Sequence, residues 1–186
     1  MDIIGVDEVG RGCWAGPLVA AAVRLTMPIK GLRDSKMLSA KQRHILDLQI
    51  RASAHVGIGW VSPQYIDTYG LTKAVKSAMM QAVLAVSLTS PIIIDGNINY
   101  LSELPDVQTI VKGDQLIPEI SAASIVAKEA RDRYMRHIHH LMPHYQFDKH
   151  VGYGTKLHQE MLKLFGASSL HRMSYKPVAV VGGYVN

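Results

Sequence analysis

One stretch near the start of the chain decides the fold: Ile3-Ile4-Gly5-Val6-Asp7-Glu8-Val9-Gly10-Arg11-Gly12. Its apolar residues predict a short buried strand over 2–7, after which the chain turns. Two adjacent carboxylates raise each other's pKa, and burial raises it further, so Asp7 and Glu8 require a cation beside them. A divalent metal is the strongest such partner. Arg11 between two glycines suits the close approach of a phosphate. The stretch therefore indicates phosphoryl-transfer chemistry.

Length and composition exclude several classes of protein. The 186 residues suffice for one compact domain, and a hydrophobic content of 48% is that of a folded chain. No apolar run reaches the roughly 18 residues that cross a bilayer, so we expect no association with a membrane. The single cysteine, Cys13, excludes an internal disulfide, and a cytoplasmic location fits this.

The charge distribution is uneven. The formal net charge is +5, and residues 112–176 hold 10 of the 20 Lys and Arg and 7 of the 9 His, against 6 of the 15 acids. On charge alone, a generally basic surface is the better interpretation. Beside an acidic metal site, the same surface suits a polyanion such as nucleic acid.

Hydrophobic patterns predict an α/β fold with a mixed five-stranded sheet flanked by helices and a helical C-terminal part. Strands are predicted over 2–7, 17–25, 54–61, 92–96 and 107–112, and helices after Ser39 and over 72–88, 121–142 and 155–165. The first three strands are expected to form an antiparallel meander, and the last two to add parallel to the first. Asp7, Asp95 and Asp114 then lie at carboxyl ends of strands, where open α/β sheets bind ligands.

Four carboxylates are therefore expected to converge on one cleft: Asp7, Glu8, Asp95 and Asp114. Such a set suits two Mg²⁺ or Mn²⁺ ions about 3.5–4 Å apart, which prefer oxygen ligands. Taken singly, each acid has an ordinary alternative, since Asp95-Gly96 is a common turn and Lys112-Gly113-Asp114 fits a surface turn.

The motifs, taken in order, resemble those of the bacterial ribonuclease HII family. They are Asp7-Glu8-Val9-Gly10-Arg11-Gly12, Asp34-Ser35-Lys36, Ile94-Asp95-Gly96, Lys112-Gly113-Asp114, Ser121-Ala122-Ala123-Ser124-Ile125-Val126-Ala127-Lys128, Gly152-Tyr153-Gly154 and His171-Arg172 with Ser174. Each motif alone is weak, but together they cover almost the whole chain. The resemblance implies an RNase H-like fold and one catalytic domain over residues 1–186.

The resemblance also implies a function. A monomer would hydrolyse the RNA strand of RNA–DNA hybrids and incise 5′ of ribonucleotides embedded in duplex DNA, leaving a 3′-hydroxyl and a 5′-phosphate. The four acids would be catalytic and would hold Mn²⁺ or Mg²⁺, as two ions once substrate is bound. Gly10, Arg11, Gly12 and Tyr153 would bind the substrate. Lys36 and Lys128 are candidate phosphate contacts, although solvated side chains fit them equally.

Two other functions compete with this one. A catalytically inactive nucleic-acid binding module is disfavoured, because a surface that faces phosphates gains nothing from four intact acids. A different nuclease of the same fold, such as a junction resolvase or an exonuclease, is disfavoured by the Gly-Arg-Gly and Gly-Tyr-Gly segments.

Three departures from the family pattern leave the four acids untouched. Cys13-Trp14 is interpreted as packing, His150-Val151 as the loss of one phosphate contact, and Tyr175 as a near-isosteric replacement of Phe.

The histidines on and after the long C-terminal helix fit a solvated basic face better than a zinc site, and they are His137, His139, His140 and His144.

Overall fold

The structure is a computed structural model that describes residues 2–33, 35–87 and 89–181. Asp34 lies outside these ranges, and the side chain of Lys36 is not among those described. The strands are β1 (Ile4–Val9), β2 (Leu18–Leu25), β3 (Ala54–Val61), β4 (Ile92–Asp95) and β5 (Val107–Ile110). The helices are α1 (Ala40–Ser53), α2 (Pro63–Tyr69), α3 (Leu71–Leu84), α4 (Gly113–Leu116), α5 (Pro118–Leu141), α6 (Phe147–His150), α7 (Lys156–Phe165) and α8 (Lys176–Val181).

The strands form one mixed sheet in the order β3-β2-β1-β4-β5. β1 pairs antiparallel with β2, which pairs antiparallel with β3, whereas β4 and β5 run parallel to β1. The prediction of a mixed five-stranded sheet flanked by helices is confirmed. Among the helices described, none combines the length and apolarity that crossing a membrane would need.

The first strand continues past its predicted end at residue 7. Asp7 pairs with Ala21 and Glu8 with Ala20, so both acids remain inside the β1–β2 ladder. Pairing between β1 and β4 ends at Val6, opposite Ile94, which is one residue before Asp7. The sheet therefore parts between β1 and β4 just where the acids begin, and this opens a cleft at the carboxyl ends of both strands.

Helices cover the two faces of the sheet, which explains why its central strands are rich in small apolar residues. α3 packs on one face over a core that includes Ile4 and Val6, and α1 and α5 pack on the other face. Gly5 permits the close approach of α5, because a Cβ at this position would collide with the backbone of Glu119 and Ile120. This approach lays α5 across β1 and beside the acids.

The short helices differ most from the sequence prediction. α2 is missed, although Ser62 caps it and Pro63 occupies its first turn. α4 is missed as well, and it changes the setting of Asp114. β5 ends at Ile110, and the left-handed backbone of Lys112 (φ 59°) turns the chain into α4, where Asp114 lies in the first turn. The prediction that Asp114 lies at the end of a strand is therefore wrong.

Candidate active site

One cavity of about 580 Å³ lies at the cleft between β1 and β4. It brings together three of the four predicted acids and all the predicted substrate-binding residues, although these come from distant parts of the chain. Its lining includes Asp7, Glu8, Gly10, Arg11, Gly12, Ser35, Asp95, Ser124, Lys128 and Tyr153. Asp114 is not in this lining.

Asp7 and Glu8 are held in an environment that disfavours their charge. Asp7 is 9% exposed, and its Oδ1 accepts a hydrogen bond of 2.7 Å from the backbone N–H of Glu8. Burial raises the pKa of Asp7 well above its usual range, and the charges of Glu8 and Asp95 raise it further. Burial also raises the pKa of Glu8, against the opposing effect of Arg11 at 3.1 Å. The cavity therefore has a deficit of positive charge.

Asp95 and Asp114 are linked through the start of α4. Asp95 Oδ1 accepts a hydrogen bond of 2.8 Å from the backbone N–H of Gly113. Asp114 follows directly and is buried, with 6% of its surface exposed. The turn at Lys112 thus places Asp114 directly after Gly113, the residue whose N–H binds Asp95.

A hard divalent cation fits this set of donors, although the acids do not form a ready-made chelate. In the three described ranges, no three carboxylate, imidazole or thiolate side chains are grouped as metal ligands. The cavity nevertheless offers carboxylate oxygens, which Mg²⁺ and Mn²⁺ prefer. The raised pKa values of Asp7 and Glu8 show that a cation placed there would relieve an unfavourable charge.

Two serines lie beside the acids, and the sequence does not predict this placement. Ser124, on α5, makes a side-chain hydrogen bond to Asp7 that partly offsets the rise in the pKa of Asp7. The hydroxyls of Ser35 and Ser124 are 2.9 Å apart, and both residues are buried. Both lie within motifs that the sequence displays, but only the packing of α5 against β1 brings them to Asp7.

Arg11 lines the cavity and contacts two neighbouring side chains. Its guanidinium donates to Glu8 Oε1 at 3.1 Å and to the Tyr100 hydroxyl at 3.0 Å. The Arg11 side chain remains 44% exposed, so its charge is available to a ligand in the cavity. Tyr100 is a further residue that sequence reasoning missed, since it lies in the connection between β4 and β5.

Tyr153 also lines the cavity, and an isolated β-bridge pairs it with buried Cys13, the residue after Gly12. Its ring centre is 5.8 Å from Lys128 Nζ and 5.7 Å from the guanidinium carbon of Arg131. Burial raises the pKa of the Tyr153 hydroxyl to about 12, so this hydroxyl stays protonated near neutral pH. A ring that is 37% exposed is thus presented beside two cations.

Lys128 has an internal partner as well as its place in the cavity. Its Nζ lies 2.6 and 2.7 Å from the two carboxylate oxygens of Asp132, one turn along α5. The side chain is 18% exposed. Lys128 is therefore an ordered cation at the cavity wall.

Two buried arginines join the segments that line the cavity. Arg131 donates to the carbonyl oxygens of Ala15 (3.0 Å), Pro17 (2.9 Å) and Val151 (2.7 Å). Arg172 donates to the carbonyl oxygen of Gly16 through both Nε (3.2 Å) and Nη2 (3.0 Å). Both residues are 0% exposed. Arg172 belongs to one of the sequence motifs, but the sequence indicates no role for either arginine, because arginines are usually placed at the surface.

Two buried histidines, His158 and His171, form a chain of hydrogen bonds that ends on the backbone of Tyr153. Ser168 N–H donates to His171 Nδ1 (3.0 Å), so the ring hydrogen of His171 is on Nε2 and faces His158 Nε2 at 3.1 Å. The hydrogen of His158 is then on Nδ1 and is donated to the carbonyl oxygen of Tyr153 at 2.9 Å. Burial lowers the pKa of both His158 and His171 to about 4, so both rings are neutral at pH 7.

Two of the departures from the family pattern, His150 and Tyr175, have specific partners in the structure. His150 is buried, its ring stacks on His158 at 4.3 Å, and its Nε2 lies 2.9 Å from the carbonyl oxygen of Tyr145. It therefore belongs to the core and does not face a ligand. Tyr175 is not equivalent to Phe, because its hydroxyl hydrogen-bonds to both Arg172 and the carbonyl oxygen of Arg11.

Comparison with known proteins shows which proteins this chain is similar to. The family model described as Ribonuclease HII matches residues 4–178. A protein of Herpetosiphon aurantiacus named Ribonuclease HII is 46% identical over 187 residues, covering 95% of this chain and 89% of that protein. Among solved structures, the PCNA:RNase HII complex from Archaeoglobus fulgidus matches with a TM-score of 0.81 and 26% identity, covering 95% of this chain and 96% of that one. Bst-RNase HIII in complex with Mn²⁺ shares the fold at a TM-score of 0.70, with 19% identity over 96% of this chain and 68% of that one.

Proposed function

The chain belongs to the ribonuclease HII family, and on that premise we propose that it is an endonuclease that cuts nucleic acid at ribonucleotides. Its substrates are the RNA strand of RNA–DNA hybrids and single ribonucleotides embedded in duplex DNA, which it incises on the 5′ side. One observation carries the proposal: Asp7, Glu8 and Asp95 line the same cavity as Arg11 and Tyr153. Carboxylates for a metal thus face groups suited to a sugar and its phosphates.

The cofactor in this proposal is Mn²⁺ or Mg²⁺, with two ions present once substrate is bound. Asp7, Glu8, Asp95 and Asp114 would hold them. When bound, such ions activate water for attack on the phosphate and stabilise the leaving oxygen. The chain's own contribution is a set of carboxylates whose charge is unfavourable without a cation, since burial raises the pKa values of Asp7 and Glu8 and the charge of Asp95 raises both further. Because water attacks, the products carry a 3′-hydroxyl and a 5′-phosphate.

Recognition of the ribonucleotide is assigned to two segments that line the cavity. The backbone of Gly10, Arg11 and Gly12 would contact the 2′-hydroxyl, the group that distinguishes RNA from DNA. The half-exposed ring of Tyr153 would pack on the neighbouring deoxyribose. Lys128 is a phosphate contact in this proposal, because it is an ordered cation at the cavity wall. Lys36 is assigned the same role from its sequence motif alone.

The proposal treats residues 1–186 as one catalytic domain that acts as a monomer in the cytoplasm. The buried, unpaired Cys13 supports a reducing compartment. An inactive binding module of the same fold is not favoured, because a surface that only binds phosphates gains nothing from the carboxylates that line the cavity.

The test is cleavage of a duplex DNA that carries one ribonucleotide, with Mg²⁺ and Mn²⁺ compared. Asp95→Asn should abolish cleavage and leave the fold intact. Asp106→Asn is a matched control, since Asp106 is an exposed acid near the start of β5 with the left-handed backbone that Asn also tolerates. Robust activity in EDTA, or a 2′,3′-cyclic phosphate product, would refute the proposal, because either result removes the need for metal-activated water.

A further inference from the structure

The peptide group between Arg11 and Gly12 is held from the side that faces the protein interior. The carbonyl oxygen of Arg11 accepts a hydrogen bond of 3.0 Å from Arg172 Nη1 and a second from the Tyr175 hydroxyl. Arg172 Nη1 also donates to the oxygen of that hydroxyl at 2.9 Å. These three groups therefore form a closed triangle in which every contact is a hydrogen bond.

The orientation of one carbonyl fixes the direction of the neighbouring N–H. In a trans peptide the C=O and the following N–H point in opposite directions. Two donors on the Arg11 carbonyl therefore direct the N–H of Gly12 away from Arg172 and toward the cavity that Gly12 lines. A Cβ built on Gly12 would meet nothing within 4 Å, so the space beside Gly12 is open to a ligand.

The position of the Tyr175 hydroxyl is itself fixed by the scaffold. The guanidinium carbon of Arg172 lies 5.2 Å from the centre of the Tyr175 ring, and the ring packs against the core on the α3 side of the sheet. The Tyr175 N–H donates to the carbonyl oxygen of Arg172 at 3.0 Å. Asp67 holds the preceding residue, since its Oδ1 accepts from the backbone N–H of Ser174 at 2.9 Å. The hydroxyl is thus a rigid donor.

We propose that Tyr175 is a positioning residue for substrate specificity: its hydroxyl, with Arg172, holds the Arg11–Gly12 peptide so that Gly12 N–H is presented to the 2′-oxygen of the ribonucleotide. This inference rests on the proposed function, because it requires the ribose to lie in the cavity. A donor that is already oriented loses less conformational freedom on binding, so its orientation contributes to affinity for ribose. Tyr175→Phe would retain the ring but leave Arg172 as the one remaining donor of this pair to the Arg11 carbonyl, so the peptide would be held less firmly.

The experiment measures binding of two duplex DNAs that differ only in one sugar, which is ribose in the first and deoxyribose in the second. Fluorescence anisotropy without added metal gives both Kd values for the wild type and for Tyr175→Phe. We expect the preference for the ribose-containing duplex to fall about fivefold in Tyr175→Phe, the size of one neutral hydrogen bond. The Kd for the all-DNA duplex should not change. Tyr65→Phe is the matched control, because Tyr65 packs against the same core and its ring contacts that of Tyr69 at a centroid distance of 4.5 Å.

A second readout requires no substrate. In a two-dimensional ¹⁵N–¹H spectrum, Tyr175→Phe should shift the Gly12 amide resonance, whereas Tyr65→Phe should leave it in place. Thermal unfolding checks that both variants remain folded.

The outcomes separate the inference from the proposed function. An unchanged ribose preference in Tyr175→Phe, or an unmoved Gly12 resonance, overturns the inference alone. Equal weakening of both Kd values also overturns it, because a merely structural role predicts that result. A wild-type protein that does not distinguish the two duplexes overturns the proposed recognition by Gly10–Gly12, and this inference falls with it.

Discussion

Acidification from about pH 7.5 to about pH 5 should destabilise the protein through two buried histidines. Burial lowers the pKa of His158 and His171 from 6.5 to about 4. Between these values the unfolded chain binds protons that the folded protein does not bind, so stability is lost as the pH falls from about 6.5 toward 4. Relative to pH 7.5, each histidine therefore reduces the free energy of unfolding by about 2 kcal/mol at pH 5. Well below pH 4 the loss for each histidine reaches its limit of about 3.4 kcal/mol.

Urea unfolding at the two pH values, with EDTA present, measures this effect. Other groups titrate in the same range, so the wild type is compared with His171→Gln, which removes one titrating ring and retains an amide donor toward His158. The free energy of unfolding should fall by about 2 kcal/mol less in His171→Gln than in the wild type. His55→Gln, which removes an exposed histidine on β3, is the matched control.

Equal pH dependence of the wild type and His171→Gln would refute this reasoning. Such a result would mean that His171 takes up its proton in the folded state as readily as in the unfolded chain. The chain of hydrogen bonds from Ser168 through His171 and His158 to Tyr153 would then not exist in solution.

Three further predictions concern the cavity itself. Asp7→Asn should abolish cleavage yet raise the free energy of unfolding by on the order of 1 kcal/mol, because it removes a buried charge beside Glu8 and Asp95. Urea unfolding without metal measures this change, and a variant less stable than the wild type would contradict it. Tyr153→Ala should lower kcat and kcat/KM together on a single embedded ribonucleotide. Tyr153→Phe should have a milder effect if ring packing dominates. Near wild-type rates for Tyr153→Ala would show that Tyr153 does not contact the substrate. Affinity for duplex should fall steeply with salt, with a log–log slope of about −0.9 per neutralised phosphate, and a flat titration would mean that charge does not contribute to binding.

The parts of the fold that the sequence predicts are those with a strong local pattern. β3 is observed with its predicted bounds, Ala54–Val61, and the capping box of Ser39 and Gln42 forms at the start of α1. The end of β1 is mispredicted because charged residues normally end a buried strand, whereas here the ladder with β2 continues to Val9. α4, with four residues, is too short to show a helical period.

The parts of the site that the sequence does not reveal depend on tertiary packing. His150, His158 and His171 lie in separate segments of the chain, and nothing local indicates that their rings meet. The same holds for Arg172, whose guanidinium bonds to backbone carbonyls near the other end of the chain. Motif spacing identifies the groups that face the substrate, but the groups that hold them become visible only in the folded structure.

Strand cleavage of a 5′-labelled duplex DNA with one embedded ribonucleotide tests the central claim most directly. We predict one incision, on the 5′ side of the ribonucleotide, with a 3′-hydroxyl on the labelled product, in either Mg²⁺ or Mn²⁺ and not in EDTA. The matched duplex without the ribonucleotide should remain intact. Cleavage of both duplexes alike, or no cleavage of either with metal present, would contradict the claim that this cavity is a metal-dependent site that recognises ribose.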